Sequence, residues 1–154
     1  MSGLTELDAT LTALASAGPE RAAAEEHLDT LLASHPAQTV LGLIQLGSQA
    51  QEEAKRAFAF VLFRRLCFRQ LQQDVTELYA KQAWDLLSEV ERSQVQAGLL
   101  QCLQGADRRR EHERGVICDA VAEVEKAGIA RQSESRASHS RVSTHKLRPN
   151  STLA

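Results

Sequence analysis

Residues 57–66 read AFAFVLFRRL and contain the longest apolar run of the chain. They hold three of its four phenylalanines, and the fourth, Phe68, follows two residues later. So much apolar surface suits a buried strand, the core of a small helical domain, part of a membrane anchor or one helix of a stacked array. The residues on either side distinguish among these alternatives.

The neighbouring residues predict a helix over about residues 49–68. No turn signal lies between Gln51 and Phe68, which argues against a strand, and the acidic residues 52 and 53 suit the positive end of a helix. The apolar run is seven residues long, whereas about 20 are needed to span a bilayer. The amino-terminal residues MSGLTELDATL lack a basic segment followed by an apolar stretch. We therefore expect neither membrane insertion nor secretion.

The same helical periodicity continues through the first 130 residues. Leucines recur at three- and four-residue spacing from Leu4 to Leu14, Pro19 and Pro36 mark the starts of further helices, and Gly47 is predicted to end the third helix. No strand-like alternation appears, so the predicted fold class is all-α. The other predicted helices cover about 5–16, 19–34, 37–46, 75–87, 92–104 and 108–127.

The charge is divided unevenly along the chain. Residues 1–130 carry 13 Lys and Arg against 19 Asp and Glu, a net charge of −6, whereas residues 131–154 carry 5 against 1, a net charge of +4. An acidic body lacks the basic face that nucleic acid requires, so we expect protein partners and no direct nucleic-acid binding. Residues 131–154 are rich in Ser and Arg with no helical stripe, which predicts a disordered tail.

No catalytic or metal-binding pattern is present. The phosphate-binding loops and the nucleophile elbow are missing, and His112-Glu113 lacks the second histidine of a zinc helix, because Val116 stands there. The three cysteines are widely spaced and odd in number, which favours reduced thiols over a disulfide framework. We therefore expect a chain that is not an enzyme, has no cofactor and holds no metal. Trp84, one turn before Leu87, is predicted to lie in the core.

Three helices share one internal pattern, in which a basic residue precedes small residues and then aliphatic residues at helical spacing. The first two copies are about 34 residues apart, near the lower edge of helical repeats of the HEAT and armadillo kind. Helix pairs with short links form either a closed bundle or a stacked solenoid, and the repeat favours the solenoid. The prediction is a HEAT-type α-solenoid of about three repeats over residues 1–130. The copies are ERAAAEEHLDTLL (20–32), EAKRAFAFVLFRRL (53–66) and HERGVICDAVAEV (112–124).

Over residues 5–128 the chain resembles the amino-terminal HEAT repeats of the importin beta, or karyopherin beta, nuclear transport receptors of the importin subunit beta-3 type. The matching segments are AEEHLDTLL (24–32), RAFAFVLFRRLCFR (56–69), LLQCLQ (99–104) and ICDAVAEV (117–124). The second is the most specific, since a phenylalanine-rich helix ending in FRRL is unusual among HEAT helices. Family members have roughly twenty repeats, so the chain is expected to be a truncated receptor with a divergent tail.

The resemblance implies binding of the GTP-bound form of the GTPase Ran by the inner helix of each pair, in protein import into the nucleus. It also implies basic cargo proteins and nucleoporins as partners of the full receptor, and shuttling between cytoplasm and nucleus. The candidate contact residues lie off the apolar stripes. They are Arg21, Glu25 and Asp29 on the inner helix of the first pair and Lys55, Arg64 and Arg65 on that of the second.

Two alternatives share the same architecture. One is a different HEAT scaffold, of the kind that organises a phosphatase or binds tubulin. The other is a fragment without function, too short to cover the ends of its own solenoid, since terminal repeats need a polar outer face. Charged residues off an apolar stripe also serve simply to keep a helix face hydrated.

Overall fold

The computed structural model describes residues 2–68, 83–105 and 111–144, and within these ranges all regular structure is helical. The prediction of an all-α fold is therefore confirmed for the described part of the chain. The helices, in order, are α1 (Ser2–Ala15), α2 (Glu20–Ser34), α3 (Pro36–Gln49), α4 (Glu53–Phe68), a 3-10 turn (Ala83–Leu86), α5 (Glu89–Gly105) and α6 (Glu111–Thr144).

The helix ends follow local chemistry. Pro36 occupies the first position of α3, where its missing N–H removes no hydrogen bond. At the start of α5 the backbone N–H of Ser88 donates to Glu91 Oε2 at 2.7 Å, and the Ser88 hydroxyl donates to the same oxygen at 2.8 Å. Together with the Glu91 N–H, 3.4 Å from Ser88 Oγ, these contacts form a capping box. They also fix where the chain leaves the 3-10 turn.

Three predicted boundaries differ from the structure. The helix predicted over 75–87 falls mostly outside the described residues, and its last part is the 3-10 turn. The prediction that Gly47 ends α3 is wrong, since the helix continues to Gln49. The structure also differs from the predicted disorder after residue 130, because α6 continues to Thr144. Residues 131–144 contain no proline or glycine, and helical hydrogen bonds are local, so this helix forms without an apolar stripe.

The chain divides into two compact units, residues 1–123 and 124–154, compared with the predicted 1–130 and 131–154. In the second unit the described side chains from residue 125 to 135 are exposed or half-buried. The hydrophobic core described below belongs to the first unit.

Helix α3 is the centre of the first unit, and it packs against α1, α2, α4, α5 and the 3-10 turn. Its sequence, PAQTVLGLIQLGSQ, has no charged residue, which allows neighbours on several sides without burying an unpaired charge. Fully buried Val40 and Leu43 meet core residues from the surrounding helices. The buried apolar residues contributed by α1, α2, α4 and α5 are Leu7, Leu11, Leu14, Ala24, Leu28, Ala59, Phe60, Leu62, Phe63, Cys67, Val95 and Leu99.

Two glycines of α3 allow its neighbours to approach closely. A Cβ atom at Gly47 would lie 2.7 Å from Cε2 and Cζ of Phe60, and one at Gly42 would lie 2.8 Å from Cδ2 of Leu7. Real Cβ atoms do not come that near to other carbons, because such a separation is well inside van der Waals contact. Phe60 on α4 and Leu7 on α1 therefore occupy the space that larger residues on α3 would need.

The apolar run of α4 buries one side rather than its whole circumference. Ala59, Phe60 and Phe63 are completely buried, whereas Val61 is 47% exposed and Phe58 is half-buried. At the end of the helix Phe63 and Phe68 meet edge to face at 5.9 Å between centroids, and the Phe68 and Trp84 rings are 5.3 Å apart. Trp84 is 3% exposed, which confirms its predicted place in the core.

The connection from α3 to α4 is held by Arg56, a residue that the sequence did not single out. Arg56 is 5% exposed, and its Nη1 donates to the carbonyl oxygens of Ala50 at 2.6 Å and Gln51 at 2.9 Å. Carbonyls just beyond a helix end have no partner within the helix. The buried guanidinium satisfies them and places its charge at the negative end of the α3 dipole.

Replacing Gly47 by alanine tests the close contact between α3 and α4. We expect Gly47→Ala to lower the free energy of unfolding by about 1 to 3 kcal/mol, the usual cost of overpacking a core. Gly115→Ala is the matched control, because no described side chain or neighbouring helix lies within 4 Å of a Cβ there and alanine is the better helix former by about 1 kcal/mol. Denaturant titration compares them, and an unchanged stability of Gly47→Ala would contradict the tight contact.

The capping box gives a pH-dependent contribution to stability. The hydrogen bonds from the Ser88 backbone N–H and hydroxyl lower the pKa of Glu91 in the folded chain. The Glu91 carboxylate therefore stabilises the folded chain at pH values above its unfolded pKa of about 4.3. This stabilisation is lost as the pH falls through the lower pKa of the folded state. We expect Glu91→Gln to lower the thermal midpoint at pH 7, and the difference from wild type to shrink below pH 4. Glu125→Gln, at an exposed position of α6, should show no such trend in circular dichroism melts.

Candidate partner-binding surfaces

Three of the predicted contact residues lie along one exposed side of α2. Arg21, Glu25 and Asp29 follow each other at four-residue intervals and are all exposed, so they span about 12 Å at a rise of about 1.5 Å per residue. Arg21 Nε donates to Glu25 Oε1 at 3.0 Å, with side chains 56% and 57% exposed. An ion pair this exposed contributes only about 0.3 to 0.5 kcal/mol. Both charged groups thus remain available to a partner at small cost.

Lys55 has a different environment, because it connects two helices. Its Nζ lies 2.8 Å from Oδ1 of Asp8, so the pair links α4 to α1, and the lysine side chain is only 19% exposed. The two residues are 47 positions apart in the sequence, and no local pattern points to their pairing. Lys55 already has its counter-charge within the chain.

Arg64 and Arg65 also differ from each other. Arg64 Nη1 donates to Oδ2 of Asp119 at 3.1 Å, linking α4 to α6, and its Nε is buried with no hydrogen-bond partner among the described residues. Arg65 is exposed, since consecutive helical residues point about 100° apart. Lys55 and Arg64 are nine residues apart, or about 13 Å along the axis. The six predicted residues therefore do not form one cluster: α2 carries an exposed row, and α4 carries separate cations at its two ends.

A groove of about 430 Å³ lies between α3, α5 and α6, and the sequence did not predict it. Gly47, Gly98 and Gly105 have no side chains to fill it, and among the described residues no Asp, Glu, Lys, Arg or His contributes to its lining. One feature of the sequence could have indicated the groove. Residues 36–51 and 93–105 carry no charge, and the cores of protein interfaces are depleted of charged residues. The other lining residues are Leu41, Ile44, Gln45, Ser48, Gln49, Gln101, Cys102 and Ile117.

The three thiols occupy three different environments. Cys67 is completely buried, and this burial raises the pKa of its thiol far above the ordinary value. Cys102 is half-buried in the groove, and Cys118 is exposed on α6. Among the described residues no group of three or more His, Cys, Asp or Glu could hold a metal ion. No described helix is long and apolar enough to cross a membrane.

Comparison of the chain with protein-family models, with curated proteins and with solved structures gives no match. The resemblance to a known family therefore depends only on the segments 24–32, 56–69, 99–104 and 117–124.

The thiols provide a direct check of these environments. Alkylation requires the thiolate, so we expect a maleimide at pH 8 to modify Cys118 first and Cys102 more slowly, and to leave Cys67 unmodified in the folded chain. Because the Cys67 pKa is raised, its protection should persist to pH 9 and disappear in denaturant. Mass spectrometry of peptides after timed labelling measures the order. Early labelling of Cys67 would contradict its burial between α4 and its neighbours.

Proposed function

We propose that this chain is a protein-binding module of the importin beta type, and that it binds Ran in its GTP form in nuclear protein import. The observation that carries the proposal is the arrangement of the first four helices. α1 and α2 pack together, α3 and α4 pack together, and α3 joins the pairs by packing against α1 and α2. Stacked helix pairs are the repeating unit of a HEAT-type solenoid.

The connections within and between the pairs support the same proposal. Residues 16–19 separate α1 from α2, a single residue separates α2 from α3, and residues 50–52 separate α3 from α4. Links this short require consecutive helices to run antiparallel when they pack. The first two copies of the repeated sequence pattern, at 20–32 and 53–66, lie on the second helix of a pair, α2 and α4.

The partner surface in this proposal is the exposed row on α2, Arg21, Glu25 and Asp29, with Arg65 on α4 as a separate exposed cation. The buried side of α2 consists of Ala24 and Leu28, so the charged residues of the row can be substituted without disturbing the core. The first unit carries 12 Lys and Arg against 18 Asp and Glu, a net charge of −6. Such a surface suits partners with basic patches. Basic cargo proteins and nucleoporins belong to the same proposal as partners of a full receptor.

The decisive experiment compares two nucleotide states of Ran. The purified chain is titrated with Ran loaded with a non-hydrolysable GTP analogue or with GDP, and binding is followed by calorimetry. We expect the GTP form to bind at least about tenfold more tightly, a difference of about 1.4 kcal/mol. Equal affinity for the two forms, or no binding by a chain that circular dichroism shows to be folded, would overturn the proposal.

A pair of variants tests the surface on α2. Asp29→Lys reverses one charge of the exposed row, whereas Glu125→Lys makes the same change of charge at an exposed position of α6. We expect Asp29→Lys to weaken Ran binding about tenfold, or by about 1.4 kcal/mol, and Glu125→Lys to leave it unchanged. Equal losses in the two variants would show that net charge alone governs the binding.

A further inference from the structure

The second unit contains a regular pattern that the proposed function does not use. Residues 131–146 read RQSESRASHSRVSTHK, in which an arginine precedes a serine by two residues three times at intervals of five. Each of these serines is also followed three residues later by a basic residue. The repeated set comprises Arg131 and Ser133, Arg136 and Ser138, and Arg141 and Ser143, with Lys146 as the last basic residue.

Of the three repeated serines, Ser133 is the one whose side chain the structure describes, and it is exposed on α6. Its hydroxyl donates a hydrogen bond to the carbonyl oxygen of Ala130 at 2.6 Å. From residue 125 to residue 135 no side chain is buried, so this part of the helix is stabilised mainly by its own backbone hydrogen bonds. Helical segments without tertiary packing open at small cost. An enzyme that binds its substrate in an extended conformation can therefore reach Ser133.

We propose that residues 131–146 are a substrate segment for a basophilic serine kinase, with Ser133 as an acceptor. Arg131 and Arg136 flank Ser133 with two cations, which a peptide groove lined with carboxylates binds through charge-assisted, bidentate hydrogen bonds. In the reaction the γ-phosphoryl group of magnesium-bound ATP is transferred to Ser133 Oγ. The new O–P bond forms as the bond to ADP breaks, and the hydroxyl proton passes to the catalytic base of the kinase.

Modification at the three repeated serines changes the sign of the charge on this unit. Residues 124–154 carry 6 Lys and Arg against 2 Asp and Glu, a net charge of +4. Each phosphate adds about −1.5 to −2 at neutral pH, so three phosphates bring the net charge to about −1. A phosphate on Ser133 also stands three residues before Arg136, the spacing at which opposite charges stabilise a helix. Phosphorylation therefore changes the electrostatic character of this unit.

The test uses the full chain and two kinases, with serines outside the motif as internal controls. The chain is incubated with a basophilic or an acidophilic serine kinase and with ATP labelled at the γ-phosphate, and the sites are mapped by mass spectrometry. We expect the basophilic kinase to label Ser133, Ser138 and Ser143. Ser135 and Ser140 should stay unlabelled, because serines precede them by two residues.

Two substitutions distinguish recognition of the repeated motif from a general effect of positive charge. Arg131→Gln should lower incorporation at Ser133 at least about tenfold, or by about 1.4 kcal/mol, and leave Ser143 unaffected. Lys126→Gln removes the same charge outside the motif and should have no effect. Equal labelling of Ser133 and Ser135, or labelling of a synthetic 131–146 peptide but not of the full chain, would overturn the proposal. Failure of Ran binding would not bear on it.

Discussion

The contact between the Phe60 ring and the bare backbone of Gly47 sets the distance between α3 and α4, and much of the first unit depends on that distance. A side chain at position 47 would need the space that the ring occupies. The link between the two helices is short, since α4 begins only four residues after α3 ends. Arg56 then lies one turn into α4, where its guanidinium reaches the carbonyls of Ala50 and Gln51. One packing contact and one buried cation thus determine the geometry of the second helix pair.

The central position of α3 also explains where the charges of the first unit lie. A helix with neighbours on several sides cannot carry unpaired charge without a large desolvation cost, and α3 has none. The described helices around it hold their charges on outward sides, in cross-helix pairs such as Lys55 with Asp8, or, for the buried Arg56, against backbone carbonyls. The described residues that line the groove beside α3 and α5 are also uncharged. Its glutamines and serine provide hydrogen-bonding groups without ionic charge.

Local periodicity predicted the first four helices and most of the core, since leucine and phenylalanine spacing reports directly on a buried helical side. It did not predict features that depend on distant residues. Gly47 resembles a helix stop in sequence, yet it is a contact point for Phe60 thirteen positions later. α6 continues beyond residue 130 because helix formation needs no core, so a missing apolar stripe does not establish disorder. The exposed row on α2 was predictable, whereas the partners of Lys55 and Arg64, 47 and 55 positions away, were not.

These pairings affect how a partner could bind to α4. A partner that recruited Lys55 or Arg64 would have to separate it from Asp8 or Asp119, or else bind the pair together. Separation leaves a carboxylate without its cation, half-buried at Asp8 and exposed at Asp119, so part of the new interaction would offset the one that is lost. Arg21, Glu25 and Asp29 carry no comparable cost, because their one ion pair is exposed and weak. Contacts from a partner to the exposed row on α2 would therefore cost less than contacts to Lys55 or Arg64, although α4 carries the most distinctive sequence.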